Sequence, residues 1–349
     1  MERKSPLKGE IIAAILLLGA TVILILFLAL SEKGEKEIRV KDKDFFEYFD
    51  TICTLYDYSG DEDAVFEENC RLVEEKLRYY HELFDIYNEY EGVTNLATVN
   101  RLAGSEEVEV APELIEFLNY AVSMHELTDG NVNIAFGRVL TVWHDFREGT
   151  RALPTFEELA LANQHSSIEN LVINSEKCTV KFTDSELLLD VGAIAKGYAA
   201  EKCAEFLRSR GAKAYVLDLG GNLRIVGEKP DGGTFKTGVQ NPDIYSENRY
   251  VYYLNVADTS VVTSGDYQRA VIVDGKNYHH IINKETLFPA EHYSSVTVVT
   301  EHSGLADALS TALFNMKKDD AVKLLDTLDG VSAIWVYPDG RLETYGLEE

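Results

Sequence analysis

Two side chains with oxygen donors, Asp307 and Thr311, lie four residues apart in the mostly apolar stretch 303–316. Helical spacing places them on one face of a helix. A carboxylate on an apolar face is costly unless something charged pairs with it, and a hard cation is a suitable partner. The alternative is that Thr311 caps Asp307, whose carboxylate then accepts hydrogen bonds from its own helix. The spacing therefore indicates a candidate cation site.

A second candidate site lies in residues 187–221, which predict a strand, a tight turn, a helix, a second strand and a second glycine turn. Asp190 ends the first strand, and Gly192 and Gly197 let the backbone approach a ligand closely. The amides at the helix start, with Lys196 beside them, would face an anion in the turn, most simply a phosphate. The residues match neither the Walker pattern nor GxGxxG, so an ordinary glycine turn is the alternative.

Two adjacent histidines, His279 and His280, form a third candidate. Neighbouring side chains of a strand point to opposite faces. One ring is therefore expected to pack or to meet solvent while the other is functional. An imidazole with an ordinary pKa titrates near neutral pH and can accept a proton or hydrogen-bond a phosphate oxygen.

Segments spread over roughly residues 45–345 resemble the ApbE family, the FAD:protein FMN transferases, among them five in the second half of the chain. Two of them are DVGAIAKGYAAEK, residues 190–202, and VLDLGGNLRIVG, residues 216–227. The third is SGDYQR, residues 264–269, which is similar nearly residue for residue to the family's Ser-Gly-Asp-Tyr-Glu-Arg. The fourth is DGKNYHHI, residues 274–281, and the fifth is ADALSTA, residues 306–312, which fits the family's Ala-Asp-Ala-x-x-Thr-Ala.

The resemblance implies that FAD binds with its pyrophosphate near Mg2+. It assigns the metal to Asp307, Thr311 and the backbone carbonyl of Ala193, and it gives catalytic roles to Asp307 and His280. The FAD contacts that it implies are Tyr87, Asn131, Val132, Asn133, Asp190, Lys196, Tyr267, His280 and Ile281. The departures from the family pattern include Asn133 and Asn283, each in place of an acid, Lys284 in place of a proline, Leu287 in place of a glycine, and Val93, Thr94 and Asn95 where the family has Ser-Glu.

The activity that the resemblance implies is covalent flavinylation. A Ser or Thr hydroxyl of a partner protein attacks the phosphorus on the FMN side of FAD, AMP leaves, and FMN stays attached through a phosphoester. Two other functions would use the same residues. Water in place of the hydroxyl would give an FAD pyrophosphatase that releases FMN and AMP, and a degenerate site would only bind flavin.

Periodicity in the chain predicts an α+β fold. Apolar residues at helical spacing predict helices over residues 62–85, from Pro112, and from residue 303 with Ser303 as its cap. Short alternating segments joined by turns, such as residues 179–182 and 187–191, predict strands in a mostly antiparallel sheet. The resemblance adds a T-fold-like single catalytic unit, which we expect to occupy residues 45–349.

The N-terminal segment carries a membrane signal. Residues 11–30 contain no charge and are long enough to cross a bilayer as a helix, and Arg3, Lys4 and Lys8 precede them. The positive-inside rule predicts one membrane anchor over residues 1–31, a linker over residues 32–44, and a catalytic domain on the extracytoplasmic side of the cell membrane. A cleaved signal peptide is the alternative. The resemblance implies an extracytoplasmic acceptor flavoprotein with a Ser/Thr motif.

The net charge and the cysteine spacing argue against two classes of function, nucleic-acid binding and zinc binding. A formal net charge of -26 argues against nucleic-acid binding, which needs clustered lysine and arginine. The four cysteines show no CxxC or Cys/His spacing typical of zinc. An even number outside the cytoplasm permits disulfides, but Cys70 and Cys203 fall on apolar helix faces, so we expect packed thiols.

Overall fold

The centre of the fold is an eight-stranded sheet. The computed structural model describes residues 39–267 and 269–347. In spatial order the strands of this sheet are β1 (Lys41–Tyr48), β2 (Thr51–Asp57), β6 (Ala214–Leu219), β7 (Asn222–Gly227), β10 (Ser260–Gly265), β13 (Ser295–Thr300), β14 (Ser332–Val336) and β15 (Leu342–Tyr345). Every neighbouring pair is antiparallel.

Three smaller sheets surround the large one. The first has the order β3 (Val108–Glu109), β5 (Thr179–Phe182), β4 (Leu171–Asn174). The other two are hairpins, one of β8 (Phe235–Gln240) with β9 (Tyr250–Val256) and one of β11 (Val271–Val273) with β12 (Lys276–Tyr278). The fold is therefore α+β with a large antiparallel sheet, as the sequence predicted.

The helices of the described residues are α1 (Asp63–Phe84), α2 (Leu96–Leu102), α3 (Pro112–Leu127), α4 (Gly137–Arg147), α5 (Phe156–Asn163), α6 (Ala195–Ser209), α7 (Ser303–Asn315) and α8 (Lys318–Leu325). Local sequence explains several of their starts. Proline stands at the first position of α3, and Thr155 with Glu158 forms a complete capping box before α5. The helix predicted over residues 62–85 is confirmed as α1.

The apolar core lies on both faces of the large sheet. On one face α1 and α6 pack over β1, β2 and β6, while α7 and α8 pack over β10, β13 and β14. The β8–β9 hairpin covers part of the opposite face. A further apolar cluster joins α2, α3 and β5 to residues 187–199. Because α6 and α7 lie side by side on the sheet, they bring the glycine turn and Asp307 together.

Two local predictions are wrong. Residues 187–191 form no strand, because their amides bond to side chains and turns: Leu189 N donates to the Asn100 side chain and Asp190 N to the Ile134 carbonyl. Ser303 does not cap α7. The cap is His302, whose Nδ1 accepts from Leu305 N at 3.3 Å.

The predicted anchor of residues 1–31 lies outside the described residues. Within residues 39–267 and 269–347, no helix is both long enough and apolar enough to cross a membrane. Strand β1 begins at Lys41, so the last four residues assigned to the linker are strand.

The four cysteines are free thiols, and Cys53, Cys70 and Cys203 are buried. Burial raises the pKa of each of these three thiols to about 12. Such thiols are protonated at neutral pH and pack as small apolar groups.

Candidate functional site

Helices α6 and α7 meet at Gly197. A Cβ at this position would lie 2.4 Å from Asp307 Cβ and 2.5 Å from the Ser303 carbonyl oxygen, so only glycine fits without a shift. Gly197 N donates to Asp307 Oδ2 at 2.8 Å. Gly197 is the third residue of α6, which begins directly after the turn of residues 192–194, so its amide has no acceptor within the helix. The structure therefore places the Asp307 carboxylate at the turn that contains Ala193.

Asp307 is only 4% exposed. Burial raises the pKa of its carboxyl, whereas the Lys196 ammonium and the Gly197 amide lower it. The start of α6 also favours a negative group through the helix dipole. A nearby cation would stabilise the ionised carboxylate further, since opposite charge offsets the cost of burial.

Thr311 lies one turn along α7 from Asp307. Its Oγ1 is 3.4 Å from Ser264 Oγ, which in turn is 2.8 Å from Ser310 Oγ. Asp307, Thr311 and the Ala193 carbonyl together offer only oxygen donors, the set that Mg2+ and Ca2+ prefer. In the part of the chain that the structure describes, no three His, Cys, Asp or Glu residues group as metal ligands. A cation held here would depend on a single carboxylate and on neutral oxygens.

The two adjacent histidines have different environments. His279 is 3% exposed; its Nε2 donates to the Ala290 carbonyl at 2.8 Å, and its Nδ1 accepts from Ile281 N at 3.2 Å. Both ring nitrogens thus serve the fold of this loop. Ile281 is also structural, because its side chain is buried and its carbonyl accepts from Ala290 N.

His280 is half-buried and belongs to a cationic neighbourhood. Burial, together with the charges of Arg269, Lys196 and Arg147, lowers the pKa of its imidazole to about 3. The ring is therefore neutral near pH 7, and an anionic ligand beside these cations would raise its pKa and with it the capacity to accept a proton. The charge of Lys196 acts on the pKa of both His280 and Asp307.

Arg147, at the end of α4, is a site residue that the sequence reasoning missed. Within the described residues its Nη1 is buried without a hydrogen-bond partner. Burial lowers the pKa of Arg147, as does the charge of Arg269, whereas Tyr87 and Asp190 act in the opposite direction. No motif marks this arginine, and its only sequence signal is a basic residue in the last turn of a helix.

Tyr87 and Asp190 are two residues whose charges act on the pKa of that arginine. The Tyr87 ring is 63% exposed and lies 5.4 Å from the His144 ring of α4, tilted by 31°. Asp190 Oδ1 accepts from Gly192 N at 2.9 Å. Burial raises the pKa of Asp190, and the Gly192 amide and the two arginines lower it. An exposed aromatic ring beside buried charges is suited to stacking a planar ligand.

The predicted contact residues 131–133 use their side chains within the fold. Asn131 Nδ2 donates to the Thr128 carbonyl at 2.9 Å, and Val132 is a core residue. Asn133 Oδ1 accepts from Ala135 N and Nδ2 donates to the Ser166 carbonyl, both at 2.9 Å. A ligand would meet mainly the backbone of this loop. The loop borders a cavity of about 670 Å³, also lined by His125, Asp129, Phe136, Ser166 and Lys284.

Tyr267 packs across the end of β10. A Cβ at Gly265 would lie 2.4 Å from Tyr267 Cε1, so the ring depends on that glycine. Burial raises the pKa of Tyr267 to about 12, and the nearby Asp266 carboxylate adds to the rise. The hydroxyl is therefore a neutral hydrogen-bonding group at physiological pH.

The fold and the site together define a class of protein. It is an α+β protein in which a glycine turn, a lysine, a buried aspartate and a neutral histidine converge beside a large antiparallel sheet, an arrangement suited to a phosphorylated ligand. The sequence profile of the ApbE family matches residues 49–335, and the chain belongs to this family.

Individual relatives agree with this membership. The FAD:protein FMN transferase of Treponema pallidum is 31% identical over 261 residues, which cover 71% of this chain and 72% of that protein. The FAD:protein FMN transferase of Vibrio cholerae is 27% identical over 271 residues, covering 77% and 80%. The crystal structure of the ApbE protein from Thermotoga maritima has a TM-score of 0.78 at 28% identity, covering 88% of this chain and 97% of that chain.

Proposed function

We propose that this chain transfers FMN from FAD to a Ser or Thr hydroxyl of a partner protein, depends on Mg2+, and releases AMP. The chain is a transferase by its family, and its relatives are FAD:protein FMN transferases. The observation that carries the proposal is the buried Asp307 carboxylate, held on Gly197 N at 2.8 Å beside the charge of Lys196.

The proposed reaction exchanges one phosphorus–oxygen bond for another. The acceptor oxygen forms a bond to the phosphorus on the FMN side of FAD. The bond from that phosphorus to the bridging oxygen breaks, and the bridging oxygen leaves with its electron pair as part of AMP. The hydroxyl proton passes to a base. Catalysis of such a transfer is mainly positioning and charge stabilisation.

Several groups of this chain supply those functions. Lys196 places a positive charge where the pyrophosphate would lie, and the first amides of α6 add partial positive charge. His280, neutral at physiological pH, takes the proton of the attacking Ser or Thr hydroxyl or hydrogen-bonds a phosphate oxygen. Tyr87 and Arg147 receive the flavin ring at the other end of the site.

The donor set fits a magnesium ion. Ala193, Asp307 and Thr311 would hold it through a carbonyl, a carboxylate and a hydroxyl, and a buried carboxylate with a raised pKa gains from a cationic partner. When bound, Mg2+ supplies positive charge that neutralises the phosphoryl oxygens.

One incubation separates the proposed transfer from the two alternatives. The purified chain is mixed with FAD, Mg2+ and a candidate acceptor flavoprotein, and products are resolved by mass spectrometry. Covalently attached FMN with an equal amount of AMP supports the transferase. Free FMN and AMP in the presence of a folded acceptor indicate a pyrophosphatase, and unchanged FAD indicates a binding protein. A parallel sample with EDTA tests the dependence on Mg2+.

The cellular placement is part of the proposal. The uncharged stretch of residues 11–30, preceded by three basic residues, supports a single membrane anchor with the catalytic unit, residues 45–349, on the extracytoplasmic side. The acceptor would then be an extracytoplasmic flavoprotein, brought near the enzyme at the membrane surface.

A further inference from the structure

A buried ion pair lies one helical turn from Gly197. Glu201 of α6 is 4% exposed and Arg224 of β7 is 1% exposed. Glu201 Oε2 accepts from Arg224 Nε at 2.9 Å, and Oε1 accepts from Arg224 Nη2 at 3.2 Å. Oε2 also accepts from the backbone amide of Ser303 at 2.7 Å. One carboxylate therefore joins α6, β7 and the first turn of α7.

The two contacts between α6 and α7 share one register. Gly197 and Glu201 are four residues apart on α6, and Ser303 and Asp307 are four residues apart on α7. Gly197 N bonds Asp307, and Glu201 bonds Ser303 N, so the helices run in opposite directions with one turn between the contacts. A slip of α7 by one turn, about 5.4 Å, would break both contacts together.

We propose that Glu201 is a positioning residue for the reaction. By holding the Ser303 amide it sets the register of α7, and this register places the Asp307 carboxylate on the Gly197 amide at the turn that contains Ala193. The inference rests on the proposed function for the role of Asp307. Glu201 acts through α7.

The charge of Glu201 matters in addition to its shape. Arg224 is buried, and its other carboxylate partner, the exposed Asp258, is 3.8 Å away, so loss of the Glu201 carboxylate would remove the close partner of a buried cation, which is strongly unfavourable. A negative group at the start of α7 is also favoured by the helix dipole. Glutamine would keep an acceptor for Ser303 N but lose the charge that holds it between two donors. Aspartate would keep the charge for Arg224 but be one methylene too short for Ser303 N.

The test compares Glu201→Gln and Glu201→Asp with the parent chain in two measurements. The first is hydrogen–deuterium exchange at the Gly197 amide in the full chain without ligand. The second is the Mg2+ concentration that gives half of the metal-induced rise in Tm. In both variants we expect the Gly197 amide to exchange about tenfold faster and the half-maximal Mg2+ concentration to rise about tenfold. A factor of this size corresponds to the loss of one charge-assisted hydrogen bond. FAD affinity in EDTA should change by less than about threefold, because direct FAD contacts are kept.

Tyr215→Phe is the matched control. It removes a buried hydroxyl that bonds Asp61 and Asn69 at 2.8 and 3.1 Å, so it loosens the packing of α1 on β6 without touching α7. If general destabilisation explained the effect of Glu201, this control would change both measurements by similar factors, and the inference would be overturned.

The remaining outcomes are also decisive. Because Glu201→Asp keeps the charge pair with Arg224, it remains usable as the test variant if Glu201→Gln does not fold. Parental exchange at Gly197 in the folded Glu201 variants would overturn the inference. Faster exchange with an unchanged Mg2+ requirement would remove the role in metal positioning. If the parent chain itself shows no Mg2+-induced rise in Tm, the proposed cation is wrong, and the exchange measurement still decides the register.

Discussion

Asp307 and His280 differ in charge, and this difference assigns them different tasks. Burial raises the pKa of Asp307, yet Lys196 and the Gly197 amide favour its ionised form. Burial, together with the charges of Arg269, Lys196 and Arg147, keeps His280 neutral. A carboxylate that attracts a cation and an imidazole that can accept a proton are the two groups that phosphoryl transfer to a hydroxyl requires.

The His280 ring provides a test at the residue scale. As a proton acceptor its removal should slow single-turnover transfer by about a hundredfold or more, with FAD affinity nearly unchanged. As a phosphate-binding group its removal should mainly weaken FAD. Both quantities are measured for His280→Ala, and His279→Ala serves as the comparison that disturbs the loop. If His280→Ala kept the parental transfer rate and the parental FAD affinity, this histidine would have only a packing role.

The same ring predicts a pH dependence of stability. The imidazole has a pKa of about 3 in the folded chain and about 6.5 when unfolded, so the unfolded chain binds the extra proton between these values. His280 therefore destabilises the fold progressively as pH falls below about 6.5. We expect His280→Ala to lose less stability than the parent between pH 7 and pH 4, as measured by urea unfolding. An equal loss would contradict the assigned environment.

Arg147 supplies a test at the ring end of the site. Its buried Nη1 has no partner within the described residues, and the charges of Asp190 and Arg269 act on it. Arg147→Met keeps the apolar stem and removes the donors, so we expect FAD and riboflavin to bind about tenfold more weakly. Arg138→Met, which breaks an exposed pair with Glu186, is the control. If the variant bound FAD more weakly but riboflavin as tightly as the parent does, Arg147 would contact the phosphates and not the flavin ring.

At the scale of elements, the contact of α6 with α7 determines the site. Gly197→Ala would force a Cβ to within 2.4 Å of Asp307 Cβ and 2.5 Å of the Ser303 carbonyl oxygen. We expect a loss of about 1–3 kcal/mol of unfolding free energy, typical of overpacking, and a larger Mg2+ requirement. Glu205→Ala, at an exposed position of the same helix, should change neither. Parental stability for Gly197→Ala would show that the helices can separate freely.

Several elements could be predicted from the sequence. Apolar periodicity identified α1, and Pro112 located the start of α3. The segment 187–191 resembled a strand because its apolar pattern is the same whether the backbone bonds to a sheet or to side chains such as Asn100. His302 as the cap of α7 was missed, because serine is the commoner capping residue.

The candidate site was predictable only where motif residues are close in sequence or match the family. The pairing of Asp307 with Gly197 joins positions 110 residues apart. Sequence spacing cannot show that Glu201 and Arg224 become a buried pair, since each charge alone resembles a solvated residue. The same holds for Arg147, because its buried environment forms only when elements distant in sequence pack together.

At the scale of the whole molecule, the distribution of charge is uneven. The chain has a formal net charge of -26, yet Lys196, Arg147 and Arg269 converge on His280. A local positive field within an acidic surface attracts an anionic ligand to one place and repels it elsewhere. This pattern agrees with an anionic nucleotide as the substrate.

The proposed anchor predicts the behaviour of a truncated chain. Deletion of residues 1–31 should give a soluble protein that transfers FMN at the parental rate, because every candidate site residue follows residue 45 and β1 begins at Lys41. Solubility without detergent and the rate with a soluble acceptor are measured together. A truncated chain that fails to fold would show that the N-terminal segment supports the catalytic unit.

The most direct test of the account is covalent FMN on the acceptor, measured by intact mass, for the parent chain and for Asp307→Ala with FAD and Mg2+. The parent should convert the acceptor fully with release of AMP. Asp307→Ala should remain folded by circular dichroism and leave the acceptor unmodified, because water cannot replace the charge of a lost carboxylate ligand. Transfer by Asp307→Ala at the parental rate would contradict the account.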